Sequence, residues 1–199
     1  MGEGVTAAIM NSAFTVYWSR VRVQLAETGL PDTRIPFLFG GPHVSQPSFT
    51  RAGVGVGDVI YPITLRGQCI HVLCRFVVAR ILTVGDFIRE HPERYPAESH
   101  GRWEAETLDS AAQRHPWHRA VCWTCSDHVL LPSVVSAFET ARTVPADVLQ
   151  RLTYSSKKAE RAMRWAADGK TPLLGSIDRI YRLAPTSAQD FANLLAGAS

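Results

Sequence analysis

The stretch Arg51–Ile63, "RAGVGVGDVIYPI", decides how the chain is read. Gly53, Gly55 and Gly57 alternate with small apolar residues, and Asp58 then leads into a β-branched, aromatic run. A dinucleotide fingerprint sets G-x-G-x-x-G between a strand and a helix. Gly53 and Gly55 fit its first two positions, but Asp58 stands at the third, and the residues after it favour a strand. No helix dipole would then face a phosphate. The Gly-Lys-Ser/Thr of a P-loop is also missing. The stretch therefore reads as a glycine turn that delivers the chain into a strand, with positive φ available at the bend.

Outward from the turn, two strands are expected. "DVIYPITL" (Asp58–Leu65) is the first, and "CIHVLCRFVVARIL" (Cys69–Leu82) follows after the turn Arg66–Gln68. Ile70, Val72, Cys74, Phe76 and Val78 alternate with Cys69, His71, Leu73, Arg75 and Val77, the period of a sheet with one face in the core. Pro62 has no N–H to donate, which points to an edge strand or a bulge. Upstream, "AFTVYWS" (Ala13–Ser19) reads as a strand, and Gly40–Ser48 reads as a loop. "RVRVQLAETG" has both strand alternation and helix formers, and both readings stay open.

"VGVGDVIYPI" followed by "QCIHVLCRFVVARIL" resembles the strand pair of PUA-type barrels, a superfamily that includes PUA, ASCH, EVE and YTH domains. Gly57 and Asp58 match the Gly-Asp that precedes the apolar strand there, and Val84–Glu90 would be the short helix after the second strand. "VYWSRV" (Val16–Val21) is similar to the Trp-containing early strand of EVE-like members. The resemblance spans Ala13 to Glu90. It implies an α+β fold: a PUA-like mixed β-barrel with flanking helices. It also implies binding of RNA, or of a modified or flipped base in a pocket, without catalysis.

Downstream, "VGDFIREHPERYP" (Val84–Pro96) reads as a short helix closed by prolines, and Ala97–Pro116 as a long polar loop. "RAVCWTCSDHVLLP" (Arg119–Pro132) has strand composition. Tyr154–Lys170 reads as a helix, with Ala159, Ala162, Met163 and Ala166 on its buried face. Ser176–Leu183 reads as a strand and Thr186–Leu195 as a helix with a Thr186/Gln189 capping box. The expected organisation is one domain, 1–199. Its barrel core runs from about residue 13 to 132, and a helix-strand-helix extension from about 145 to 199.

A stacking surface with polar and cationic neighbours is what base recognition requires. Tyr17, Trp18 and Ser19 at a strand end supply one candidate, with Arg20, Arg22 and Arg51 for phosphates. Trp103 and Trp117 sit in polar context, whereas Trp18 and Trp123 have the apolar neighbours of core residues. Arg161 and Arg164 would share a helical stripe with Lys157 that is able to follow a backbone; a solvated helix face has the same pattern.

His115, His118, Cys122, Cys125 and His128 form H-x2-H-x3-C-x2-C-x2-H. Zinc takes four nitrogen or sulfur ligands, and C-x2-C is a half-site. His115, His118, Cys122 and Cys125 are therefore the candidate metal ligands, and a metal-dependent hydrolase is the alternative function. Against it, no glycine shapes a knuckle between Cys122 and Cys125, and odd spacing in a strand would set them on opposite faces. Buried thiols and surface histidines, with no cofactor, are the leading expectation. A protein-interaction module is a further alternative.

The 199 residues are 46% hydrophobic and 20% charged, ordinary for a chain with a real core. Net charge is +3 and pI about 8.8, which permits contact with RNA or DNA without demanding it. Arginine dominates; Lys157, Lys158 and Lys170 are the lysines. No stretch is long and apolar enough to span a bilayer. Residues 1–14 lack a basic region ahead of an apolar one, so a cytoplasmic protein with reduced thiols is expected.

Overall fold

The computed structural model describes residues 11–196 apart from 31, 44–45, 97–103, 116, 123–125 and 157. Strands β1 (Ala13–Tyr17), β2 (Leu38–Gly40), β3 (Val59–Arg66), β4 (Cys69–Val72), β5 (Phe76–Thr83), β6 (His128–Val135) and β9 (Ile180–Arg182) make one mixed sheet. Its order is β2-β6-β5-β3-β1-β9, with β4 on β3. Only β1 and β3 run parallel, as their long crossover requires. The path starts at β2 and ends at β9, and among the described residues no ladder joins those ends.

The glycine turn behaves as its composition predicts. Gly53 (φ 77°) caps the short helix α2 (Phe49–Ala52) in the left-handed region, and Gly57 (φ 89°) turns the chain into β3. Asp58 locks the bend: its carboxylate accepts from Ser12 N at 2.7 Å and Gly55 N at 2.8 Å. The side chain serves the turn and is nearly buried, at 8% exposed.

Pro62 is not on an edge. β3 is central, flanked by β1 on one side and by β4 and β5 on the other. The proline's ring nitrogen faces the side where the neighbouring chain leaves β4 and re-forms as β5. Residues 73–75 make that break, so the run Cys69–Leu82 is two strands rather than one. The ladder is interrupted where a donor is missing, and Leu73 N still reaches Pro62 O at 2.9 Å. Ile70, Val72, Cys74, Phe76 and Val78 are all buried, but the single alternation ends at the break: Ile70 and Val72 face one core, Phe76 and Val78 face the other, and Leu73 between them is buried as well.

The sheet buries two cores. One face carries Phe14, Val16, Ile60, Phe76 and Val78. Over it lie α1 (Arg20–Gly29), α3 (Val84–Glu90), α4 (Glu104–Arg114) and α5 (His118–Val121). The other face carries Tyr61, Ile63, Ile70 and Val72 and is covered by α6 (Ala146–Arg151), α7 (Pro185–Ala196) and the chain between them.

Three expectations change here. Residues 104–114 are a helix rather than polar loop, because Thr107, Leu108 and Ala111 share one buried face. Arg119–Pro132 is not one strand: α5 ends at Val121, and β6 begins at His128. Tyr154–Lys170 is not helical. It forms a hairpin of β7 (Thr153–Tyr154) and β8 (Arg161–Ala162), followed by a turn. Ser156 bonds the Lys158 and Ala159 amides and the Ala159 carbonyl, and Asp168 collects the Lys170 and Thr171 amides. Such local bonds compete with a helix. Of the expected apolar face, only Met163 is buried, under Leu152 O. The helix-strand-helix extension is therefore hairpin, strand and helix.

Its strand is short, and β9 joins the main sheet by pairing with β1. α7 starts at Pro185, where a missing N–H is harmless, so Thr186 lies inside the helix rather than capping it. The open question over Arg20–Gly29 resolves as helix, with Ser19 Oγ accepting from Arg22 N.

Candidate nucleic-acid interface

A cleft of about 330 Å³ opens where the two ends of the sheet approach each other. β1 gives it Val16 and Tyr17; Pro42, His43, Gln46, Pro47, Ser48, Arg51 and Ala52 come from the segment after β2; Asp178, Arg179 and Ile180 come from the start of β9. The β1–β9 register sets Val16 opposite Ile180, and its continuation brings Tyr17 level with Arg179. α2 packs against β9 and so stands across the gap between the sheet ends. The wall is held close by Gly40: a Cβ there would lie 2.4 Å from Pro47 O and 2.6 Å from both the His128 ring and the Phe49 ring.

The chemistry of the lining is mixed. Tyr17 is half-buried. Burial raises its phenol above the ordinary value, and the Asp178 carboxylate raises it further, so it is a neutral O–H at physiological pH. Arg51 and Arg179 are exposed cations. Gln46 keeps its Oε1 out of solvent with no hydrogen-bond partner. A buried acceptor left unmatched costs about 1–3 kcal/mol, which an incoming N–H would offset.

Of the residues singled out from the sequence, the cleft gathers Tyr17 and Arg51. Trp18 is 1% exposed and belongs to the core. Ser19 caps α1, and Arg20 is exposed at the start of that helix. Arg22 donates to Ala120 O at 2.7 Å and lies over the Trp18 ring; burial lowers its guanidinium to about 10. Trp117 sits in the aromatic core, 5.5 Å from Phe37 and beneath the Arg94 guanidinium. Arg161 and Arg164 are exposed, on and after β8, with no helix to align them. Trp103, Trp123 and Cys125 lie outside the described residues. His43, Gln46 and Arg179 were not singled out; the loop composition of Gly40–Ser48 was the one advance signal for His43 and Gln46, and Arg179 had none.

The histidine and cysteine run does not converge. Among the described residues, no group of three or more His, Cys, Asp or Glu is placed to hold a metal ion. His118 and His128 are not surface residues, at 1% and 5% exposed. His118 Nε2 meets the Tyr95 hydroxyl at 2.7 Å inside a ring of aromatics, and His128 Nδ1 pairs with Asp127 Oδ1. Burial, with the charges of His115 and Arg94, lowers the His118 imidazole to about 4, so it is neutral at pH 7. Cys122 ends α5 rather than lying in a strand, and burial pushes its thiol up. Cys74 is buried and Cys69 exposed, and both are free thiols.

No protein-family model matches the chain, and no curated protein matches it. Among solved structures it is similar to one described as the crystal structure of ASCH from Zymomonas mobilis. The two share 11% identity at a TM-score of 0.40, with 92% of this chain and 94% of that chain covered. ASCH is among the domain types that the strand pair resembles. The likeness is one of outline, and no property of the cleft follows from it. Among the described residues, no helix is long and apolar enough to cross a membrane.

Proposed function

We propose that the chain binds nucleic acid without catalysing a reaction on it, and that the cleft holds one base of RNA, or a modified or flipped base of DNA. One observation carries this reading: a half-exposed phenol ring, a buried acceptor with no donor and two exposed arginines line the same cleft. A base offers the matching chemistry. Its face stacks on Tyr17 for about 1–3 kcal/mol. An N–H on its edge meets Gln46 Oε1. Its phosphate lies against Arg51 or Arg179, which bind such oxygens bidentately. In this reading the barrel seam is closed by α2 in place of a ladder, and the cleft is the mouth beside it.

The test is fluorescence anisotropy with labelled RNA and DNA oligonucleotides at low salt. Binding that weakens about 5-fold or more in Tyr17→Ala, the low end of one stacking contact, and also weakens in Gln46→Ala is the expected result. No binding of either polymer by the wild-type chain overturns the reading.

A further inference from the structure

The cleft is one end of a longer basic surface. The turn that supplies Asp178 and Arg179 to the cleft is also where the β7–β8 hairpin comes to rest. Arg164 Nη2 donates to Gly175 O at 3.2 Å, and the Tyr181 hydroxyl reaches the same carbonyl at 3.4 Å. Burial and the Asp178 carboxylate raise the Tyr181 phenol, and the charges of Arg179 and Arg161 oppose them. Tyr181 is half-exposed and lies 5.1 Å from the Tyr154 ring. Arg161, Arg164 and Arg179 are exposed. Among the described residues, carboxylates lie there too: Glu160 accepts from Thr153 Oγ1 at 3.0 Å, and Asp178 on the cleft rim accepts from the Tyr181 hydroxyl at 3.5 Å. Cations therefore predominate along a line from Arg179 past a ring face to Arg161 and Arg164.

We propose that this line carries the backbone of a single strand whose base occupies the cleft, so that the partner is single-stranded nucleic acid several nucleotides long rather than a free nucleotide. The inference rests on the cleft reading and extends it. A base seated in a cleft of about 330 Å³ is unpaired, and its neighbours leave along whatever surface offers positive charge and rings. Arg161 and Arg164 neutralise phosphates there, and Tyr181 offers a second stacking face.

The experiment uses the full chain with labelled single strands of about 4 to about 16 nucleotides, the range of known single-strand sites. The same sequences as duplexes and a labelled mononucleotide complete the set. Affinity rises with strand length to a plateau, and duplexes bind more weakly. For the long strands, the joint variant Arg161→Gln with Arg164→Gln lowers the slope of log affinity against log salt by about 1.4, two contacts at about 0.7 each. Its mononucleotide affinity is unchanged. Arg161→Gln alone, at an exposed position remote from the core, lowers the slope by about 0.7, and Arg161→Lys restores it. Affinity independent of length, an unchanged slope in these variants or a preference for duplex overturns the proposal. If mononucleotide binding needs Tyr17 while length has no effect, the cleft stands and the hairpin surface falls. If no probe binds, both fall.

Discussion

The cleft and the aromatic core are built from the same residue types with opposite outcomes. Tyr17, His43 and Arg51 line a space open to solvent. Tyr95, His118 and Arg94 belong to a packed cluster in which the phenol and imidazole bond each other and the guanidinium lies over Phe37 and Trp117. The phenol and imidazole of the cluster are closed to solvent: His118 Nε2 bonds Tyr95 while His118 Nδ1 is buried without a partner, and the rings of Phe37, Phe39 and Phe87 meet edge to face. In the cleft, Gln46 has an acceptor to spare. Both regions hold an unmatched polar atom, so an aromatic–His–Arg set signals binding only where the set lines a space a partner can enter.

That contrast breaks most readily at Phe87, whose ring contacts Phe37, Phe39, His91 and Tyr95. Phe87→Ala costs about 3–5 kcal/mol of stability in chemical denaturation. Oligonucleotide affinity of the molecules that stay folded is unchanged; a selective loss of affinity would mean the two regions are one.

The next effect comes from His118. The unfolded chain takes up its proton near the ordinary imidazole value of about 6.5, whereas the folded chain does so only near about 4. This contribution is complete above about pH 6.5 and is lost as pH falls toward 4, a change of up to about 3 kcal/mol. His118→Gln keeps an acceptor for Tyr95 and flattens that acid limb in a stability-against-pH curve. An unaltered limb would place the titrating group elsewhere.

Smaller still is the difference between two arginines. Arg22→Gln gives up the bond to Ala120 O and costs about 1.5–3 kcal/mol of stability. Arg51→Gln leaves thermal unfolding within about 0.5 kcal/mol of wild type, as at other exposed positions. It lowers the salt slope of single-strand binding by about 0.7. Equal behaviour of the two variants in both measurements would erase the distinction between core and cleft.

What the sequence discloses follows the range of the forces involved. The turn Gly53–Asp58, the strand character on either side of residues 73–75, the helix after Thr83 and α7 are legible because each depends on neighbours a few residues away; the change of face at that break is not. The hairpin after Tyr154 is not. Alanines at helical spacing there were outweighed by Ser156 and Asp168 and by the distant hold of Leu152 O on Met163. The cleft was half legible. Tyr17 and Arg51 stand beside recognisable strand and turn signals, whereas Gln46 and Arg179 come together only through pairing of β1 with a strand far along the chain. The histidine–cysteine run shows the reverse error: a compact motif on paper, taken apart by a helix end and by burial.

The unpaired ends of the sheet, at β2 and β9, carry one more implication. Backbone hydrogen bonds make strand separation steep and all-or-none, but side-chain packing yields gradually. Where α2 packs on β9 and, among the described residues, no ladder joins β2 to β9, the cleft of the proposed reading can change width while every rung of the sheet stays intact. In the proposed reading, such a cleft admits rings of different size, purine or pyrimidine, at little cost to the fold.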